Sequence, residues 1–351
     1  MSAEMPESFA LLETEPGMVV VGRGPFRREA NMPAATDVSA FYVDDFSLAS
    51  PRPWLVPSEV ELLTPDTPWP FPLGAVEVAW SEPDAGSFRR VFSEVSQALG
   101  SDGAGGALKM VPVLPQKGVL LTGDPKSFLG GLEQGRDQQW RYGFVEGSSG
   151  FCGVTPELLL DVEGRHLETM AVAGTAAHGE EQRFAADRKE IREHEMVVSF
   201  LSNELQGLGR VGREPRGVVR VGGVTHFRSK MAVELDTEVE MRELVNRLHP
   251  TPAVGCLPRR DRLVASLSGM REGVGCPAAF GAPFGLLHQG KFHCVIAIRG
   301  LFWKNDRIDL PAGCGLIAES RVEREWAEME LKRAAVREIF GLGISDCPDC
   351  Q

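Results

Sequence analysis

Residues 312–332 read AGCGLIAESRVEREWAEMELK, a short turn with two glycines followed by a charged, regularly patterned segment. Ser320, with a glutamate three residues later, predicts a capping box that opens a helix running to about Phe340. In that helix Glu325 and Glu328 are three residues apart and therefore share one face. Backbone N–H groups of the AGCG turn could hold an anion, and a plain turn between a strand and a helix explains the same letters equally well.

A second helix upstream carries a similar pair of acids. From Asp187 to Leu205, apolar residues recur at intervals of three, four and seven, as on one face of an amphipathic helix. Glu190 and Glu193 share a face of this helix. The two pairs could meet at one ion, and carboxylate oxygens without cysteine favour Mg2+. Each pair alone is more typical of a solvated helix face, so spacing by itself does not establish a metal site.

Two further charged residues lie in or next to predicted strands. Residues 293–302 read HCVIAIRGLF and are followed by the polar turn KNDR, which predicts a β-hairpin. Arg299 lies inside this apolar run, where an inward guanidinium needs an anionic ligand or a buried acid as its partner. Glu157 precedes the apolar run LLL, at the mouth of another predicted strand. A carboxyl group there suits a general acid if burial raises its pKa, and a turn residue is the alternative.

The composition limits the class of protein. The chain has 351 residues, 43% of them apolar and 25% charged, which is typical of one large or two ordinary globular domains. Its 39 glycines and 24 prolines disfavour an all-helical bundle. A net charge of −12 without a basic stripe predicts no nucleic-acid partner. No apolar run approaches the roughly 20 residues of a membrane helix, and the acidic N-terminus does not resemble a secretory signal, so we expect no membrane partner and a cytoplasmic location.

Cysteine, proline and glycine positions add three expectations. Seven cysteines, an odd number, predict reduced thiols, and the C-terminal pair Cys347 and Cys350 is interpreted as incidental thiols. Seven prolines between Pro51 and Pro72 predict an irregular surface connection without a helix interior or a central strand. The glycine-rich residues 101–106 predict a flexible turn between a helix and a strand.

Seven segments, taken in chain order, resemble the chorismate-binding enzyme family, and most closely its isochorismate synthase branch. They are TPELLL (155–160), MAVAGT (170–175), KEIREHEMVV (189–198), THFRSK (225–230), LHPTPAVG (248–255), AIRG (297–300) and AGCGLIAESRVEREWAEMELK (312–332). The resemblance implies an α+β fold of two stacked, mainly antiparallel β-sheets flanked by helices, as in component I of anthranilate synthase. We expect residues 1–100 to be a divergent N-terminal part of the same domain, residues 101–345 to be the catalytic core and residues 346–351 to be a tail.

The resemblance also implies Mg2+ as the cofactor and chorismate as the substrate. Glu193 and Glu328 would be the magnesium ligands, and Glu190 and Glu325 would act through water or from the outer shell. The residues expected to bind the substrate are Gly174, Thr175, His226, Phe280, Arg299, Gly313, Gly315 and Lys332.

Two residues would carry the proton transfers. Glu157 would protonate the leaving hydroxyl at ring position 4, and Lys109 would be the general base for a water that attacks position 2, which gives isochorismate. Pro112 follows Lys109 closely and disturbs the predicted strand, so Lys117 is the alternative base.

Two sequence features favour the isochorismate branch. Ala173 stands where the resembling aminodeoxychorismate synthases carry a lysine nucleophile, and the loop HPTPAVG differs from the anthranilate synthase version, so water is the expected nucleophile. A salicylate synthase, which adds pyruvate elimination at the same site, is the alternative within the family. The pathway could be menaquinone, siderophore or salicylate synthesis, and the expected assembly is a monomer or a weak homodimer.

One segment departs from the family pattern. In CPAAFGAPFG, Phe280 holds the aromatic position, but Pro277 stands where the resemblance leads us to expect an arginine. Arg271, in the glycine-rich GMREGVG just before it, is a candidate to take that place. The same departure is the one feature that favours an inactive, family-like binding protein.

Overall fold

The computed structural model describes residues 7–34, 37–99, 106–135, 138–221 and 223–342. Apart from residue 106, the turn predicted at 101–106 lies outside this range, as does the tail with Cys347 and Cys350. The five cysteines inside it are free thiols, as the sequence predicts. Within these residues no helix combines the length and apolar character that crossing a membrane requires.

Short strands make up most of the chain. They are β1 (Ser8–Glu15), β2 (Met18–Arg23), β3 (Arg27–Glu29), β4 (Ala40–Val43), β5 (Trp54–Val56), β6 (Glu59–Leu63), β7 (Glu77–Trp80), β8 (Lys109–Met110), β9 (Val113–Thr122), β10 (Trp140–Glu146), β11 (Ser149–Thr155), β12 (Leu158–Glu163), β13 (His166–Ala177), β14 (Gly209–Arg213), β15 (Gly217–Val221), β16 (Val224–Leu235), β17 (Cys256–Leu257), β18 (Pro283–His288), β19 (Lys291–Ile296), β20 (Gly300–Lys304) and β21 (Arg307–Gly313). The α-helices are α1 (Ala85–Leu99), α2 (Glu181–Ala185), α3 (Arg188–Leu205), α4 (Met241–Leu248), α5 (Asp261–Gly273) and α6 (Val322–Ile339), and a 3-10 helix spans Pro125–Leu132.

The strands form two large antiparallel sheets. The first has the order β6-β2-β1-β10-β11-β20-β21-β9-β7, and the second has the order β14-β16-β13-β12-β19-β18-β4-β5-β3, with β15 also paired to β16. Strand β1 pairs with β10 and β4 pairs with β18, so strands from the first hundred residues enter both sheets. A two-stranded ladder of β8 and β17 lies apart from them.

The two sheets stack face to face through an aromatic core. Leu12 and Tyr142 of the first sheet share one buried cluster with Val295 of the second. Across the same interface the rings of Phe151 and Phe284 meet edge to face, with 5.6 Å between centroids. The predicted fold class, α+β with two stacked, mainly antiparallel sheets flanked by helices, is confirmed.

The opposite face of the second sheet is covered by helices. Helix α3 packs on β13 and β16, and α6 contacts β21 and the same two strands. Leu201 of α3 and Met329 of α6 are fully buried in one core with Leu160 of β12. The two helices that carry the paired glutamates therefore lie beside each other over one sheet.

The structure confirms the helices and corrects one cap. Helix α3 begins after Asp187, whose carboxylate accepts the N–H groups of the first turn. Helix α6 begins at Val322 with Arg321 at its N-cap and no capping side chain, so the capping box predicted at Ser320 is wrong. The Ser320 hydroxyl instead accepts the backbone N–H of Ile317, which closes the preceding turn.

The segment HCVIAIRGLF is not one strand. Its first residues belong to β19 in the second sheet and its last to β20 in the first sheet, while β20 and β21 form the predicted hairpin. Arg299 lies in the crossover between the sheets, in a left-handed backbone conformation with φ of 59°. The expectation that Arg299 lies inside a strand is therefore wrong, because the chain must change sheets at that point.

The proline-rich segment is more ordered than its composition predicts. It contains β5, in which Trp54 is fully buried, and β6, which forms an outer edge of the first sheet. Both strands are short, and the segment contains no helix. This agrees with the prediction that its prolines exclude a helix interior. The prediction of an irregular surface connection is wrong for these two strands.

Candidate active site

A cavity lies where β13, β16 and β21 meet helices α3, α5 and α6. Its lining residues are Lys109, Val111, Val113, Pro156, Glu157, Val172, Ala173, Gly174, Thr175, Glu193, His226, Ala253, Val254, Arg271, Phe280, Ile298, Arg299, Pro311, Ala312, Gly313, Gly315, Glu328 and Lys332. Twelve of the fourteen residues that the sequence places in the site line this cavity. The other two, Glu190 and Glu325, lie just behind it on α3 and α6 and are fully buried.

Glu157 has the properties of a proton donor. It precedes β12, is almost completely buried, and accepts a hydrogen bond from the Thr251 hydroxyl at 3.3 Å. Burial raises the pKa of Glu157 to about 7, although Thr251, Lys109, Lys332 and Arg299 oppose the rise. A carboxyl group with such a pKa is protonated in part of the population at neutral pH, as a general acid requires.

The two candidate base residues lie in different surroundings. The Lys109 side chain is fully buried on β8 and its Nζ is 3.0 Å from Glu193 Oε1. The Lys117 side chain is half exposed on β9, where its Nζ pairs with Asp309 at 2.8 Å and donates to the carbonyl of Gly275. Only Lys109 lines the cavity, so the geometry favours Lys109 as the base.

A bulge in β13 shapes one wall of the cavity. Gly174 and Thr175 together face the single residue His226 on β16, because the register shifts between the flanking pairs. Gly174 has a φ of 75°, and a Cβ at this position would lie 3.2 Å from Glu190 Oε2. The Thr175 hydroxyl donates to Glu328 Oε1 at 3.0 Å, and its backbone N–H donates to Glu190 Oε2 at the same distance. The bulge thus connects the strand to both glutamate-bearing helices.

His226 orients Arg299 in the cavity wall. The His226 Nδ1 is 2.6 Å from the carbonyl oxygen of Gly174, so this nitrogen carries the proton and donates. Nε2 is therefore the acceptor for Arg299 Nη2 at 2.7 Å. Burial, with the Arg299 charge second, lowers the pKa of His226 well below its usual value, which agrees with a neutral ring. Arg299 consequently keeps its charge available for an anion.

Three of the four glutamates converge on Lys189. Lys189 Nζ lies 3.1 Å from Glu190 Oε1, 3.2 Å from Glu193 Oε2 and 3.1 Å from Glu325 Oε1. Burial would raise the pKa of Glu193, but the neighbouring Lys109 and Lys189 ammonium groups outweigh burial and lower it. Glu328 completes the group, and its Oε1 accepts from Lys332 Nζ at 2.6 Å. Solvated helix faces are therefore excluded for both pairs.

The donor set fits Mg2+. All four side chains offer hard carboxylate oxygens, and neither oxygen of the buried Glu325 accepts a well-formed hydrogen bond. As the side chains stand, no three ligating groups in the described ranges surround a single point closely enough to hold an ion. Lys189 Nζ occupies the centre instead, about 1 Å farther from the oxygens than the roughly 2.1 Å of a magnesium bond. An ion at this position would take the place of the ammonium group.

The turn that contains Gly313 and Gly315 lets the side chains of Glu193 and Lys109 approach the backbone closely. A Cβ on Gly315 would lie 2.1 Å from Glu193 Oε1 and 2.7 Å from Lys109 Cε, so no larger residue fits. The carbonyl of Gly313 accepts from Lys332 Nζ at 2.7 Å. Helix α6 begins at Val322, close to the position that the sequence predicts, so six residues separate the turn from the helix. The turn itself still faces the cavity.

Sequence reasoning missed two side chains that complete the electrostatics. Lys189 carried a signal, since it stands four residues before Glu193 on the same helix face. Arg324 was not singled out in the sequence. Its Nη2 lies 3.0 Å from Glu190 Oε1. Pro277 lies outside the cavity, whereas Arg271 lines it, as the sequence hypothesis allowed.

Lys189 gives a testable consequence for stability. We expect Lys189→Met to lower the free energy of unfolding in EDTA by roughly 3–5 kcal/mol, because it leaves buried carboxylates without their counter-charge. Added Mg2+ should then stabilise the variant more than the parent. Thermal or urea unfolding with and without Mg2+ measures both effects. Arg192→Met removes an exposed ion pair from the same helix and should change little; equal effects of both substitutions would contradict the assigned role.

Comparison with known proteins agrees with this geometry. Residues 121–341, more than half of the chain, match the family model described as chorismate binding enzyme. The chain belongs to the chorismate-binding enzyme family. Its relatives include the salicylate biosynthesis isochorismate synthase of Pseudomonas aeruginosa, 28% identical over 79% of this chain and 60% of that protein. Anthranilate synthase component 1 of Methanothermobacter thermautotrophicus is 30% identical over 65% of this chain and 52% of that protein.

The family fold extends over nearly the whole chain. The menaquinone-specific isochorismate synthase of Escherichia coli superimposes with a TM-score of 0.78 at 18% identity, covering 97% of this chain and 90% of that one. In sequence, the chain matches only about half to three fifths of the length of the first curated relatives. The family fold therefore covers nearly the whole chain, whereas the sequence match covers only part of the length of these relatives.

Proposed function

We propose that this chain is a Mg2+-dependent isochorismate synthase, an isomerase that converts chorismate to isochorismate. The observation that carries the proposal is that a buried carboxyl group with a pKa of about 7, Glu157, and a buried lysine, Lys109, line one cavity. The relative from Pseudomonas aeruginosa and the structural neighbour from Escherichia coli, both named as isochorismate synthases, support this choice within the family.

The proposed reaction exchanges one hydroxyl group for another. Lys109, after losing its own ammonium proton, would accept a proton from the water that attacks ring position 2. Glu157 donates its proton to the hydroxyl that leaves from position 4 as water. One water is consumed and one is released, so substrate and product are isomers, and a proton returned from Lys109 to Glu157 through solvent restores the site.

The remaining residues bind and orient the substrate. Arg299 would bind a carboxylate, and the backbone at Gly313 and Gly315 allows the ligand to approach closely. Glu193 and Glu328 would hold Mg2+ directly, with Glu190 and Glu325 behind them. When bound, the ion supplies positive charge for the ring carboxylate of chorismate. Phe280, almost fully buried, would form an apolar wall.

The test of the function is product analysis. The purified chain is incubated with chorismate and Mg2+, with and without EDTA, and the products are separated by chromatography. We expect isochorismate that disappears when EDTA is added. Salicylate with pyruvate would overturn the proposal in favour of a salicylate synthase. Chorismate binding without turnover would favour the inactive binding protein.

The choice of base has its own prediction. We expect Lys109→Met to lower kcat on the order of 100-fold or more, because the attacking water loses its proton acceptor. Lys117→Met should retain most of the activity, since Lys117 lies outside the cavity. Steady-state kinetics of the two variants distinguish them. A severe loss in Lys117→Met with an active Lys109→Met would exchange the two roles.

Further properties are proposed with the function. We propose that residues 7–99 belong to the catalytic domain, since β1 and β4 pair with strands of the core. We also propose a cytoplasmic enzyme, either monomer or weak homodimer, that serves menaquinone or siderophore synthesis. Size-exclusion chromatography with light scattering tests the assembly.

A further inference from the structure

Thr251 is the hydrogen-bond partner of the proposed acid. It lies in the loop between α4 and β17, is 3% exposed, and its hydroxyl donates to Glu157 Oε1 at 3.3 Å. The same hydroxyl oxygen accepts the backbone N–H of Ala253 at 3.2 Å. Among the described residues, Oε1 of Glu157 is the only acceptor for the hydroxyl proton. A buried O–H group needs an acceptor, so Thr251 donates to Glu157 in both ionisation states of the carboxyl group.

The loop holds Thr251 in a fixed position. The carbonyl of Thr251 accepts the N–H groups of Val254 at 3.1 Å and of Gly255 at 2.8 Å, which closes a tight turn. Two residues before Thr251, the His249 Nε2 lies 2.8 Å from the carbonyl oxygen of Phe46, so this nitrogen carries a proton and donates. The backbone on both sides of Thr251 is thus bonded to its surroundings, and the hydroxyl stays against the carboxyl group.

The same loop supports the proposed base. The carbonyl of Gly255 accepts the backbone N–H of Val111 at 2.9 Å, and β17 pairs with β8 so that Leu257 stands opposite Lys109. One loop therefore contacts the acid through the side chain of Thr251 and the strand of the base through its backbone.

The backbone of Glu157 is fixed independently of this loop. Its N–H donates to the Thr155 hydroxyl at 3.3 Å, and its carbonyl accepts the N–H of Ile296 at 3.0 Å. A protonated carboxyl group carries its proton on one of its two oxygens. Because Oε1 accepts from Thr251, the proton is favoured on Oε2. Without this hydrogen bond either oxygen could carry the proton, and the carboxyl group could turn about its last torsion angle.

We propose that Thr251 is a positioning residue that fixes the acidic proton of Glu157 on Oε2 and holds this oxygen toward the leaving hydroxyl. The inference rests on the proposed function, in which Glu157 protonates that hydroxyl. The proton passes from Oε2 to the hydroxyl oxygen as the C–O bond breaks, and the electron pair of that bond leaves with the oxygen as water. Glu157 becomes a carboxylate in this step, and the Thr251 hydrogen bond strengthens as the charge develops.

Kinetics of two substitutions test the role. Thr251→Val keeps a branched side chain and removes the hydroxyl. We expect kcat for isochorismate formation to fall about 10-fold, with KM changed by less than about twofold, because Thr251 acts on the acid and not on the bound substrate. Thr251→Ser keeps the hydroxyl and should recover most of kcat. In a Glu157→Gln background Thr251→Val should have no further effect, since the proton that it positions is absent.

The pH at which Glu157 ionises is the second readout, and a merely structural role would not change it. Burial raises the pKa of Glu157 and the Thr251 hydrogen bond lowers it, so Thr251→Val should raise this pKa by about one unit. Infrared difference spectra of the free protein, with and without Glu157→Gln, measure the ionisation without turnover. Both variants keep the other charged and titratable groups that line the cavity, which are Lys109, Glu193, His226, Arg271, Arg299, Glu328 and Lys332.

Thr169→Val is the matched control. Thr169 is also buried, and its hydroxyl donates to the carbonyl of Leu159 at 2.6 Å, outside the cavity lining. This variant loses a buried hydrogen bond as well, so its melting temperature should fall, but kcat and the ionisation of Glu157 should match those of the parent.

The outcomes separate this inference from the proposed function. An active parent whose kcat and Glu157 ionisation are both unchanged by Thr251→Val overturns the inference alone. A loss of kcat without a shift of the ionisation, or an equal loss in the Glu157→Gln background, assigns Thr251 a structural role and also overturns it. A parent that forms no isochorismate overturns the proposed function and this inference with it.

Discussion

Replacing Glu328 by glutamine is expected to lower kcat/KM on the order of 1,000-fold or more, because the proposed magnesium ion, which would contribute several kcal/mol to the reaction, loses a charged ligand. Glu193→Gln should have a similar effect on activity. Glu328 is the cleaner test, since its side chain is only partly buried and its partners Lys332 and Thr175 can both donate to an amide oxygen. The fold should therefore survive the change.

Metal affinity decides the cause of that loss. Calorimetric titration with Mg2+ should show tight binding to the parent and strongly weakened binding to Glu328→Gln, with circular dichroism unchanged. Glu338→Gln, an exposed position near the end of the same helix, is the matched control and should keep both activity and affinity. A fully active Glu328→Gln variant, or one with normal Mg2+ affinity, would contradict the assigned ligand.

The helices of the site could be predicted because their signals are local. The apolar stripe from Asp187 to Leu205 and the paired glutamates are properties of one helix each, and the structure reproduces them almost to the residue. What the spacing could not decide was whether the two pairs face each other or the solvent. That depends on how α3 and α6 pack on the second sheet, which is a long-range property of the fold.

The errors have the same physical origin. HCVIAIRGLF reads as one strand because its pattern is continuous, yet the chain leaves one sheet and enters the other within it, at Arg299. No local signal marks that crossover, since both sheets need apolar residues at this point. The cluster of carboxylates around Lys189 could not be predicted either, because three carboxylates on two helices meet only after folding. Resemblance to a family located residues such as His226 that pattern alone would leave unexplained.

Glu157→Gln is expected to lower kcat by about 100- to 10,000-fold, because the leaving hydroxyl loses its proton donor. The pH profile gives the sharper evidence. The ionisation of Glu157, whose pKa is about 7, should appear in the pH profile of the parent as a loss of the protonated acid, and the profile of the residual activity of Glu157→Gln should lack this ionisation. Glu163→Gln, at an exposed position of the adjoining strand, is the matched control.

The same carboxyl group links activity to stability with a defined sign. Its pKa is about 7 in the folded protein against an ordinary value of 4.5, so between these pH values the folded state binds more protons than the unfolded state. Its contribution to stability is therefore complete below pH 4.5 and is lost as the pH rises through 7. Glutamine keeps the neutral form, so Glu157→Gln should be more stable than the parent at pH 8, by up to roughly 3 kcal/mol, and not at pH 4.5. Urea unfolding at both pH values measures the difference, and a variant that is less stable at pH 8 would mean that Glu157 is held as a stabilised carboxylate and is not the acid.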